Sequence, residues 1–118
     1  MKVSELAEKL GARVVTNLDK AGEAAVERFF MSDGISELLN ASSETTLLVT
    51  SLANPHLARV AELMDVPAVC LVGGLDPDER LLDAAERRGI VLMVSELGGE
   101  DAAMLLRACL PEAGGTET

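Results

Sequence analysis

The residues best placed for chemistry gather in three short stretches, "TSLAN" at 50–54, "GGLD" at 73–76 and "SELGG" at 95–99. Each follows an apolar run and precedes a helical pattern, and open parallel sheets bind ligands at such strand ends. Thr50, Ser51, Asn54, His56, Gly73, Gly74, Asp76, Ser95 and Glu96 are therefore candidates to line one crevice, joined by Asp33 if the strand before it ends on the same edge. A glycine turn between strand and helix is the setting of phosphate sites, because free backbone N–H groups and the helix dipole attract an anion. Here Asp76 and Glu79 have capping-box spacing and Asp78 adds a third carboxylate, so the donors have an acceptor within the chain and a phosphate meets like charge. The lysine of G-x-x-x-x-G-K-[ST] and the three glycines of G-x-G-x-x-G are both missing, which sets aside a Walker-type or dinucleotide site. Gly73-Gly74 is expected to be a turn that needs positive φ or close backbone approach.

No catalytic set stands out. The sole histidine, His56, has no serine or cysteine nucleophile beside it and is expected at the surface or as a cap. Asp33, Asp76 and Glu96 could in principle share Mg²⁺, but scattered acids at helix starts are ordinary caps, and no metal or other cofactor is expected. Cys70 and Cys109 sit in apolar segments without C-x-x-C spacing, as reduced, packed thiols do, and two cysteines are too few for an iron–sulfur cluster.

The elements that must position these residues follow from periodicity. Val3, Leu6, Ala7 and Leu10 make a short amphipathic helix, with Ser4 as cap and Gly11 as stop. "LAEKLGAR" looks like the start of a helix-turn-helix, yet "RVVT" and "AAVERFFMS" follow as strand-like segments bridged by "NLDKAGE", where a recognition helix is required. Asp33 is expected to cap a helix containing Ile35, Leu38 and Leu39. "TTLLVT", "VPAVCLV" and "IVLMVS" then read as strands separated by helices that start at Asn54-Pro55 and Asp76-Pro77. Their nearly continuous Val, Leu, Ile and Met content is that of a parallel sheet covered on both faces. The fold class is thus α/β: a single three-layer α/β/α domain with a mainly parallel sheet built from βαβ units. The last helix, from Glu100, carries Ala102, Leu105, Leu106 and Cys109 on one stripe, flanked by Ala103, Met104 and Leu110. Such a wide apolar girth means either deep packing or a second face that docks a partner, and Ala103, Met104 and Leu110 are the interface candidates. Residues 1–112 form the domain in this reading and 113–118 a disordered polar tail.

Composition narrows the function classes. With 118 residues, 48% of them hydrophobic, the chain can bury one substantial core. A net charge of -10 repels phosphate backbones and anionic membranes, and 2% aromatic residues provide no stacking platform, so nucleic-acid and membrane partners are excluded. No apolar run reaches the length of a spanning helix and "MKVSELAEKLG" lacks a secretory core, so a cytoplasmic location is expected.

The segments "MKVSELAEKLGARVVT", "FFMSDGISELLNA" and "TTLLVTSLANPHLARVAELMDVPAVCLVGGLDPDERLLDAAERRGIVLMVSE" together resemble a stand-alone DRTGG domain over nearly the whole chain. Val72-Gly73-Gly74 stands where that family has T-G-G, and "SLAN" replaces its acidic and basic pair. Domains of this family occur alone or fused to CBS-domain proteins and phosphotransacetylases, and a related fold forms the N-terminal domain of HPr kinase/phosphatase. A serine-kinase label does not carry over, since that chemistry belongs to a P-loop domain with no counterpart in this sequence. The resemblance implies a non-enzymatic regulatory and dimerisation module, a homodimer, and a protein partner in a redox or metabolic system. The alternative it leaves open is a small-molecule sensor, of a nucleotide for example, binding at the strand C-terminal edge.

Overall fold

Extended runs that are apolar at every position need cover on both faces, and the arrangement of the helices follows from that demand. The computed structural model describes residues 1–41, 43–53 and 55–113. Its elements run α1 (Val3–Leu10), β1 (Arg13–Thr16), α2 (Leu18–Ala21), β2 (Arg28–Met31), α3 (Ile35–Ala41), β3 (Thr46–Thr50), α4 (His56–Leu63), β4 (Ala68–Leu71), α5 (Glu79–Arg88), β5 (Val91–Val94) and α6 (Gly99–Arg107). The strands form one five-stranded sheet in the order β1-β5-β4-β3-β2. Strands β2 to β5 pair in parallel, and β1 closes one edge antiparallel to β5. The expected α/β architecture is the one observed.

Alternate strand residues serve two cores. Leu47, Val49, Ala68, Cys70, Val91 and Met93 point to the side covered by α1 and α6, where Leu6, Leu10, Ala102 and Leu106 meet them. Leu48, Val69, Leu71, Leu92 and Val94 point to the other side, against Leu38 of α3, Leu57 and Ala61 of α4, and Leu81 and Ala85 of α5.

The ends of the elements differ from the sequence reading. Ser4 lies inside α1, whose N-cap is Lys2, and the Glu5 carboxylate accepts the Lys2 backbone N–H at 3.1 Å. The Asp33 carboxylate turns toward the end of β3, and among the described residues it accepts no N–H of α3. Asp78, not Asp76, caps α5 by accepting the Arg80 N–H at 2.7 Å, so the helix begins two residues later than Asp76-Pro77 suggests. The "NLDKAGE" bridge contains the single-turn α2, entered through Asn17 at φ 52°. The Asn17 amide donates to the Ala85 and Ile90 carbonyls at 3.0 and 2.8 Å, and the buried Thr16 hydroxyl donates to the Ile90 carbonyl while accepting the Leu92 N–H. These bonds hold the antiparallel edge strand in place at a point where its register shifts.

The opposite edge is also occupied. The Phe29 N–H of β2 donates to the Pro111 carbonyl at 3.1 Å, and the Ala113 N–H returns to the Phe29 carbonyl at 2.7 Å. The remainder of the expected tail, 114–118, lies outside the described residues.

Candidate functional site

Parallel pairing brings the C-terminal ends of β2, β3, β4 and β5 to one edge of the sheet. Two groups of the candidate residues assemble there. In the first, Asp33 Oδ1 accepts the Ser51 N–H at 2.7 Å and the Thr50 hydroxyl at 3.1 Å, while Thr50 Oγ1 accepts the Leu52 N–H at 3.0 Å. The Ser51 backbone N–H is the main cause holding the Asp33 carboxyl below its ordinary range; the Ser51 side chain and the Thr50 hydroxyl act in the same sense, against an opposing desolvation effect. Asp33 is thereby a fixed anion that organises a loop.

The second group answers the glycine question. Gly73 and Gly74 have φ of 84° and 66°, the left-handed region that glycine enters without strain. That twist directs the Gly73 N–H to the Leu97 carbonyl at 2.7 Å and the Gly74 N–H to the Ser95 carbonyl at 2.9 Å. The donors are satisfied within the chain, as expected, but by the loop after β5 and not by the Asp76 carboxylate. A Cβ on Gly74 would stand 2.7 Å from Glu96 Oε1, so the carboxylate packs against the bare glycine. Ser95 is fully buried, its hydroxyl donating to the Leu10 carbonyl at 2.9 Å and accepting the Leu97 N–H at 3.2 Å. The Val72 N–H donates to the Thr50 carbonyl at 3.0 Å and links the two groups.

The other candidates lie apart. Asp76 is exposed on the approach to α5, and Asn54 lies outside the described residues. His56 is exposed at the start of α4. Among the described residues no three His, Cys, Asp or Glu side chains are grouped to hold a metal ion, so Asp33, Asp76 and Glu96 do not form such a set. Burial pushes the Cys70 thiol up to about 12, which keeps it protonated and inert at neutral pH. Ala103 on α6 and Leu110 beyond its end are buried within the chain itself. Met104 is 69% exposed. It borders a shallow groove of about 450 Å³ together with Met31, Gly99, Glu100 and Arg107. Among the described residues no helix is long and apolar enough to cross a membrane.

Sequence reasoning missed a second surface. Between α4 and α5 runs a groove of about 410 Å³ lined by His56, Arg59, Arg80, Asp83, Arg87 and Arg88. Arg87 pairs with Asp83 at 3.0 Å and Arg88 with Glu62 at 2.7 Å, whereas Arg59 and Arg80 take part in no ion pair among the described residues. The available signal was spacing: His56 and Arg59 are one helical turn apart, and Arg80 and Arg87 are two turns apart on one stripe.

No family model matches the chain, and no curated protein does. Among solved structures it is similar in fold to the CBS and DRTGG domains of the regulatory region of Clostridium perfringens pyrophosphatase, a structure complexed with the activator diadenosine tetraphosphate. The TM-score is 0.71 at 14% identity, over 93% of this chain and 47% of that one, so this chain spans about half the length of its neighbour. The likeness supports a DRTGG-like α/β fold.

Proposed function

We propose that this protein is a regulatory module that acts by pairing with a second copy of itself and engaging a protein partner, without catalysing a reaction. One observation carries the reading: at the strand ends, where an α/β enzyme would present its reactive groups, Asp33, Thr50, Ser95 and the Gly73 and Gly74 N–H groups are all engaged by neighbours in the same chain. These contacts tie loops together, and an acid–base pair aimed at a substrate is a different arrangement. The fold likeness to a regulatory region adds support. The exposed Met104 on α6 is the apolar contact through which the copies would meet, and a cytoplasmic setting with a redox or metabolic partner completes the reading. Sedimentation equilibrium at tens of micromolar should give a dimer that Met104→Glu weakens. A monomer throughout that range removes the pairing.

A second reading, a small-molecule sensor, is favoured by the nucleotide activator in the neighbour's complex. Thermal melts followed by circular dichroism, with adenine nucleotides and phosphorylated metabolites added in turn, test it. A ligand at 100 times its dissociation constant should raise the midpoint by on the order of 10 °C.

A further inference from the structure

We infer that the groove between α4 and α5 binds an oligophosphate anion, an inference that rests on the sensor reading and moves its site from the strand ends to a helical face. The chain carries a net charge of -10, yet four of its ten Lys and Arg residues and its one histidine line this groove. Asp83 is the one carboxylate among the described lining residues. Two of the groove's arginines are paired, Arg87 with Asp83 and Arg88 with Glu62. Arg59 on α4 and Arg80 on α5 have no such partner among the described residues. Two guanidinium groups on adjacent helices beside one groove, neither in an ion pair among the described residues, favour an anion that takes a fork from each side.

Size and spacing select among anions. Arg80 and Arg87 are seven residues apart on α5, roughly 10 Å along its axis at 1.5 Å per residue. One carboxylate or orthophosphate cannot reach both ends of that stripe, whereas a chain of phosphates presents charge along its length. The groove volume of about 410 Å³ falls within the ordinary range for small-molecule sites. The strand-end glycine turn, by contrast, has its N–H groups occupied and the Glu96 carboxylate against it.

The test is isothermal titration of the full chain with inorganic tripolyphosphate at low salt, using Arg59→Ala/Arg80→Ala and, as a control on another face, Arg28→Ala. Neither Arg59 nor Arg80 contributes an ion pair among the described residues, so the double variant should fold, and its circular dichroism melt verifies that. Binding by the parent, weakened at least tenfold in the double variant and unchanged in the control, is the expected result. The affinity should also fall as salt is raised. Tripolyphosphate binding that survives in the double variant keeps the sensor reading and overturns this site. Binding of diadenosine tetraphosphate without tripolyphosphate keeps the sensor reading and overturns recognition through the phosphates. Binding of a polyglutamate peptide in place of tripolyphosphate overturns the proposal in favour of an acidic protein partner. Absence of binding by all three probes removes the groove and the phosphate-sensing form of the second reading together.

Discussion

The strand-end edge and the α4–α5 groove are opposites in how their polar groups are used. At the edge, a serine, a threonine, an aspartate and two glycine N–H groups are each satisfied by a neighbour in the same chain at 2.7–3.1 Å. In the groove, arginines outnumber the carboxylates that could neutralise them. A dense polar cluster at a strand end can be structural, and binding capacity lies where charge is left over. This contrast makes a concrete division: substitutions at the edge should lower stability, and substitutions in the groove should lower anion binding while leaving stability nearly untouched.

The largest effect should come from Ser95→Ala. It strands the buried Leu10 carbonyl and Leu97 N–H, and chemical denaturation should show a loss of about 2 kcal/mol. A loss near zero would mean that the edge is not the structural region described. Gly74→Ala follows at about 1–2 kcal/mol, since its φ of 66° disfavours a side chain, while the Glu96 carboxylate it meets can swing aside. Asp33→Asn should cost about 1 kcal/mol at pH 7. The folded Asp33 carboxyl lies below its unfolded value, so its contribution is present above that value and disappears as pH falls through the folded one. The gap between parent and variant should therefore close below about pH 4. Smallest of all, Arg59→Ala/Arg80→Ala should shift stability by less than about 0.5 kcal/mol, the usual range for surface changes away from such features. A large loss there would make the groove structural and blur the contrast.

Much of the scaffold was legible in the residues. The runs at 45–50, 66–72 and 90–95 are mostly apolar, with threonines and a serine at the ends of two of them, and each contains a central parallel strand. The direction of β1 was not legible, because "RVVT" looks the same in either orientation and the bonds that set it come from Thr16 and Asn17 to residues far along the chain. Helix starts were misplaced for a related reason. Asp33 and Asp76 have capping chemistry, but the Ser51 N–H competes for the first, and Asp78 stands closer to α5 than the second. At the candidate site, the glycine turn and its positive φ were predictable, whereas the carbonyls that occupy it belong to a loop beyond the next strand. The basic groove escaped notice because a net charge averages over the whole surface and its arginines come from two separate helices.

The contact of residues 111–113 with β2 reaches beyond the site. An uncovered outer strand is a template on which other chains can add, the first step of edge-to-edge aggregation. Shortening the chain before Pro111 would free the Phe29 N–H and carbonyl for that purpose. Residues 111–113 thus occupy part of the margin that a second strand would need, and strand addition at Phe29 would have to displace them.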